Sequence, residues 1–155
     1  GRGCPARIDV AIGEKPFTPF YLGAPPANPH RHPLRAPDGK IVTRRYPMEM
    51  IEGESRDHQH HRGLWFSHGD VNGVNFWENE ASYAKDRPNI GPIVPAKPAK
   101  IASGKDKGTI DAVFDWKDTK GKVLLANGLN WRRYRILFEN GSELGHLDDR
   151  HIAKA

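Results

Sequence analysis

Four of the eight histidines in this 155-residue chain, His58, His60, His61 and His68, fall between Asp57 and Asp70. Imidazole titrates near neutral pH and is the commonest metal ligand, so a run this dense leaves two chemistries open. In an extended segment His58 and His60 project to one face and His61 to the other. His68 could return to the first face through a short strand over Leu64–Ser67. With oxygen from Asp57, Asp70, Glu54 or Glu78, two imidazoles and a carboxylate (His58, His60 and Asp70) would suit ferrous iron. Three imidazoles would suit zinc or copper. The spacing matches no named metal signature and no helix carries it, so a divalent metal is one alternative among several.

The same residues could hold a polar ligand without a metal. Imidazoles and carboxylates hydrogen-bond hydroxyls, and Trp65 or Trp77 offers a flat apolar face to a sugar ring. A histidine near neutral pKa can protonate a ring oxygen while a carboxylate takes a hydroxyl proton. This makes His58, His60, His61 and His68 the candidate catalytic groups. Arg62, Trp65, Asp70, Asn72, Trp77 and Glu78 are the candidate ligand-binding groups. Phosphate recognition fits less well, because there is no Gly-rich phosphate loop. A third reading is a structural or interaction module whose histidines and arginine only tie turns to carbonyls and carboxylates. Gly63, Gly69 and Gly73 are expected to serve backbone geometry, and Trp116 to be core.

The elements that must position these residues read as strands. Arg7–Ile12 alternates apolar and polar residues, Gly13–Pro16 breaks the pattern, and Phe17–Leu22 is its expected hairpin partner. Ala24–Pro37 is proline-rich and predicted to be loop. Asp38-Gly39 signals a tight turn, with a β-branched strand predicted over Lys40–Arg44. Residues 46–63 are irregular, and Leu64–Ser67 suits a short buried strand. Asn72-Gly73 is a turn, Glu78–Asn89 a long surface loop, and Ile90–Ile101 an edge strand or extended ribbon. Thr109–Trp116 is the clearest strand, with Ile110, Ala112, Phe114 and Trp116 on one face. The turn Ser103–Gly108 precedes it, and the turn Asp118–Gly121 leads into a strand over Lys122–Leu125.

Composition agrees with this reading. Hydrophobic residues make up 37% of the chain, with 16 Gly and 13 Pro, which suits short strands joined by turns better than long helices. The length allows one domain, expected to be all-β and an antiparallel β-sandwich over residues 1–155. No apolar run approaches the roughly 20 residues of a membrane helix, so membrane insertion is not expected and the chain reads as soluble. Cys4 is the only cysteine, which rules out an intrachain disulfide and thiolate metal clusters. The net charge of +5 is spread among interleaved acids, so no nucleic-acid partner is expected.

Tyr46-Pro47-Met48, Gly53-Glu54 and the run from Asp57 to Trp77 together resemble the bacterial PmoA-like family, also labelled methane oxygenase. His32–Gly39 and Thr109–Leu125 resemble its flanking segments, so the likeness covers about Ile8 to Leu125. It implies a galactose-mutarotase-like supersandwich, of which this chain is an N-terminal fragment, with residues 126–155 a divergent tail. It further implies a carbohydrate or other small-molecule ligand, a second half of the same fold missing here, and export in the full-length form. The label itself implies an iron- or copper-dependent oxygenase as the alternative.

Overall fold

The computed structural model describes residues 7–23, 28–79, 87–104, 108–131 and 149–154, with side chains as far as Leu125. No helix occurs among them. The strands, in chain order, are β1 (Arg7–Ile12), β2 (Lys15–Tyr21), β3 (His30–Arg31), β4 (Leu64–Trp65), β5 (Ile93–Pro95), β6 (Lys100–Ala102), β7 (Thr109–Lys117), β8 (Val123–Trp131) and β9 (Asp149–Lys154). One sheet has the order β1-β2-β3-β4, and the other runs β5-β7-β8-β9 with β6 beside β7. The fold is all-β and antiparallel, consistent with a β-sandwich. No helix among the described residues is long and apolar enough to cross a membrane.

The chain forms two compact units. Pro5–Val94 with Trp116–Leu124 makes one, and Pro95–Asp115 with Leu125–Ala155 and Gly1–Cys4 makes the other. In the first, Ile12 pairs with Lys15 across a turn whose Gly13 sits at φ 60°, a conformation glycine adopts without a Cβ penalty. Successive pairings carry two rows of side chains across this sheet. Arg7, Tyr21, His30 and Trp65 form one row, and Ile8, Phe20, Arg31 and Leu64 form the other, on the opposite face. The Ile8 row is largely interior, with Ile8, Phe20 and Arg31 all buried. The Arg31 guanidinium lies 4.6 Å from the Phe20 ring centroid, in cation–π contact.

Phe76 and Trp116, 0% and 1% exposed, meet with ring centroids 4.9 Å apart, and Phe66 approaches Trp116 at 6.1 Å. Gly91 is required at this core. A Cβ there would lie 2.5 Å from the Lys117 carbonyl oxygen and 2.6 Å from both Phe76 Cε1 and Val74 Cγ1.

In the second unit β6 pairs with β7 from Lys100↔Asp111 to Ala102↔Thr109, and β8 pairs with β9 from Ala126↔Lys154 to Trp131↔Asp149. Burial along β7 alternates strictly, with Ile110, Ala112 and Phe114 inside, as the sequence pattern predicts.

Several boundaries differ from expectation. The proline-rich stretch Ala24–Pro37 contains β3, whose two residues are both buried. Lys40–Arg44 forms no strand. Ile41 makes a single bridge to Arg35, and Val42 is 61% exposed. β-Branched residues favour a strand only where a partner edge and a face to bury are present, and here neither extends past one residue. β8 runs on to Trp131 rather than ending at Leu125, and β9 falls in what reads as a divergent tail. Residues 80–86 of the Glu78–Asn89 loop and 105–107 of the Ser103–Gly108 turn lie outside the described residues.

Candidate functional site

The histidine segment is held from below by one carboxylate and one guanidinium. Glu54 accepts hydrogen bonds from the Arg45 and Tyr46 backbone N–H groups, each at 2.8 Å. These bonds favour its ionised form and lower its pKa. Arg44 Nη2 donates to the Ser55 carbonyl at 2.9 Å, the Asp57 carbonyl at 2.5 Å and Asp57 Oδ1 at 3.3 Å. Its guanidinium lies 5.2 Å from the Tyr46 ring centroid. Asp57 also accepts from Ser55 Oγ at 2.7 Å and pairs with His58 Nδ1 at 2.8 Å. Those two hydrogen bonds, the Ser55 one first, hold its carboxyl down at about 2.

From this base the chain turns at His58, whose φ of 47° is unusual for a side-chain-bearing residue. The His61 N–H closes the turn on the His58 carbonyl at 2.9 Å. The turn gathers three imidazoles: His58 and His61 stack with ring centroids 5.0 Å apart, and His60 meets them edge to face at 5.7 Å and 4.4 Å respectively. Trp65 on β4 lies 6.0 Å from His60 and 5.6 Å from His61. Trp77 lies 6.2 Å from His60 and 5.7 Å from His61. The two indoles themselves meet at 4.7 Å, and Trp77 is 40% exposed.

Each indole has its own support. Gly63, at φ 65°, lets the chain pass directly against the Arg31 carbonyl and enter β4, so Trp65 falls opposite His30. Asn75 Oδ1 accepts from the Trp77 N–H at 2.9 Å and the Glu78 N–H at 3.2 Å. Its Nδ2 donates to Glu78 Oε2 at 2.9 Å, and the same oxygen pairs with Arg87. Beneath them the Phe76 carbonyl accepts from Asn28 Nδ2 at 2.7 Å and Ser67 Oγ at 2.6 Å, and Asn79 bonds Asn28 Oδ1 at 3.0 Å. His30 stacks on Tyr21 with centroids 5.0 Å apart and shares its Nδ1 with the Asn28 carbonyl at 2.8 Å. Nδ1 is therefore the donor of a neutral ring.

Burial sets the electrostatics. It pushes His60 down to about 4, reinforced by the cationic forms of His61 and His58 and by Arg87 and Arg44. His61 is lowered by burial, then by His58 and Arg44, against a smaller opposing pull from Asp57. Both rings are neutral at pH 7, each with one donor and one acceptor nitrogen. His61 Nε2 is buried and has no hydrogen-bond partner among the described residues. The cluster can thus bond hydroxyls or anionic oxygens beside an indole face. The lowered pKa values leave both rings in the neutral, proton-accepting form at pH 7 and make them weaker bases than free imidazole.

The structure therefore brings together His58, His60, His61, Trp65 and Trp77, with Glu78 joined to Asn75 behind Trp77. Arg62 lies half-buried within reach of His30, whose protonation its charge opposes. His68 does not join the cluster. Its Nδ1 bonds the Asp70 backbone, at 3.0 Å to the carbonyl and 3.3 Å to the N–H, and both residues are exposed. Asp70 Oδ1 accepts from the Gly73 N–H at 2.7 Å, with Asn72 at φ 54° in the same turn. These three residues build a turn. Among the described residues no group of three or more His, Cys, Asp or Glu side chains is arranged to hold a metal ion, so the set His58, His60 and Asp70 is not assembled.

Sequence reasoning passed over Arg44 and Asn75, which hold the two sides of the cluster. Asn75 had a readable signal, since an Asn followed by two residues whose N–H groups need an acceptor is an Asx-turn pattern. Arg44 had none, because its acceptors are carbonyls more than ten residues away.

No curated protein matches the chain, and no solved structure matches it. The family comparison matches residues 7–147, nearly the whole length. Strands β1 to β8 and every residue of the histidine–indole cluster lie within that span. The chain belongs to a family of unknown function (DUF6807).

Proposed function

We propose that the chain binds carbohydrate at the surface formed by His58, His60, His61, Trp65 and Trp77, in keeping with its resemblance to the PmoA-like family. One observation carries this reading. A partly exposed indole, Trp77, lies in ring contact with a second indole and two neutral imidazoles, one of which keeps a buried nitrogen without a hydrogen-bond partner among the described residues. A sugar ring offers both things such a surface bonds, an apolar C–H face and hydroxyls in its plane. Trp77 supplies the stacking face, and His61 Nε2 a hydrogen bond to a hydroxyl. If the site also modifies the sugar, His61 is the group placed to take a hydroxyl proton, since its depressed pKa leaves it unprotonated at neutral pH.

A glycan array followed by calorimetry tests the reading. Trp77→Ala and His61→Ala should each weaken binding about tenfold, the equivalent of about 1.4 kcal/mol. Both variants should keep the far-UV spectrum of the parent. An array with no binder, or a binder indifferent to both substitutions, refutes the reading and leaves an interaction module.

A further inference from the structure

We infer that the chain has a second binding site, a cavity against the β1–β2 hairpin that takes an α-amino carboxylate zwitterion with an apolar side chain, as a free amino acid or a dipeptide. The cavity shares no residue with the histidine–indole cluster, so the inference goes beyond the carbohydrate reading and does not rest on it.

The hairpin is shaped to leave a hollow. Its register slips between Val10 and Ala11, so that Val10 pairs with Thr18 but Ala11 pairs with Pro16, with Phe17 the extra residue. A bulge of this kind bends a strand pair and increases its twist. Pro16 and Pro19, opposite Ala11 and Asp9, have no N–H to give to β1, which thins the ladder on both sides of the slip. The Arg35 N–H donates to the Phe17 carbonyl at 3.0 Å, seating the segment after β3 along the bulge. Against these pieces lies a cavity of about 360 Å³. That volume is at the small end of the range typical of ligand pockets.

The lining specifies a ligand. Val10, Ala11, Pro16, Pro19 and Pro33 supply apolar wall. Their side chains are short or stiff and cannot fold inward to fill the space. Four charged residues border the cavity, and two of them neutralise each other: Arg7 Nε and Nη2 lie 2.8 and 2.6 Å from Asp9 Oδ1. The other two are left over. Arg35 Nη1 donates to the Gly39 carbonyl at 3.3 Å, and the rest of its guanidinium has no acceptor among the described residues. Glu14, at the hairpin tip, has neither a hydrogen bond nor an ion pair among the described residues. Lys15 beside it reaches the Pro37 carbonyl instead, at 3.4 Å. One cation and one carboxylate therefore border the same apolar hollow without being matched to each other. A ligand that engages both needs an anion, a cation and an apolar body. An α-amino carboxylate has all three. Its carboxylate suits the planar fork of Arg35, its ammonium suits Glu14, and its side chain takes the proline wall.

Calorimetry on the unaltered chain tests this with leucine and leucyl-leucine, each also as its N-acetyl and its C-terminal amide derivative. Each cap removes one charge and keeps the apolar body. Each should weaken binding about fivefold at low salt, near the upper end for an exposed ion pair, and less at high salt. Arg35→Gln should abolish the cost of the amide alone, and Glu14→Gln the cost of the acetyl group alone, with melting temperatures matching the parent's. The capped probes act on the parent chain, so the result does not depend on either variant folding. Leucine binding more tightly than leucyl-leucine identifies a free amino acid as the ligand, and the reverse order a peptide; either order supports the inference. Capped probes that bind as tightly as their uncapped forms, a penalty from one cap only, or no heat from leucine or leucyl-leucine each overturn it. None of those outcomes bears on glycan binding at the histidine turn.

Discussion

His30 gives the sharpest test of the electrostatics beneath the site. Its ring is 7% exposed, stacked on Tyr21 and cross-strand from Trp65, and burial pushes its pKa from the usual 6.5 down to about 4. The unfolded chain therefore binds more protons than the folded one between those two values. Stability rises with pH through that window, is fully present above about 6.5, and is lost as pH falls toward about 4. The difference corresponds to about 3 kcal/mol, a large fraction of a small domain's total. His60, His61 and His32 are lowered too, so the wild-type profile should be steeper than one histidine alone would make it. Asp57 acts in a separate window, contributing above its ordinary carboxylate range and losing that contribution as pH drops toward about 2.

His30→Asn is the informative perturbation, because the Asn amide can occupy the Nδ1 position and keep the 2.8 Å bond to the Asn28 carbonyl. At pH 7.5 the variant should lose about 1 kcal/mol with the Tyr21 stack. Its profile should then be flatter than wild type by about 3 kcal/mol between pH 6.5 and about 4. Urea titrations followed by tryptophan fluorescence across that range supply both curves. Parallel profiles for the two proteins would refute the assignment of a buried, neutral His30.

Two further outcomes follow from the supports of the indoles. Gly63→Ala forces a Cβ onto the Arg31 carbonyl at a φ of 65°, and should destabilise the fold by about 2–4 kcal/mol, read by thermal denaturation. Asn75→Ala removes the acceptor for the Trp77 and Glu78 N–H groups, and should reduce glycan affinity about tenfold with a stability change of about 1 kcal/mol, read by calorimetry and urea titration.

The parts of this protein legible in its sequence are those governed by period-two alternation or by chain proximity. β7 was readable because Ile110, Ala112, Phe114 and Trp116 are spaced for one face, and the β1–β2 hairpin because Gly13 interrupts two such runs. The histidine turn was readable because His58, His60 and His61 are near neighbours, although the turn at His58, not an extended segment, is what gathers all three. Trp65 and Trp77 also come from the same stretch.

What escaped was set by partners distant in the chain. β3 hides between prolines and exists because β2 and β4 flank it. Lys40–Arg44 has strand-forming residues, but its pairing stops at the single bridge of Ile41 to Arg35. His68 was expected to return to the cluster, but Asp70 claims its ring locally, and Ser67 before it is tied to the Phe76 carbonyl.

The clasp of Glu54 and Arg44 on the chain beneath the histidines has a kinetic corollary. With the turn already fixed by five hydrogen bonds to backbone groups or the Asp57 carboxylate, docking there requires no ordering of the loop. Stopped-flow traces should then show one exponential whose rate climbs linearly with ligand concentration, the behaviour of a rigid receptor rather than of one that must first rearrange.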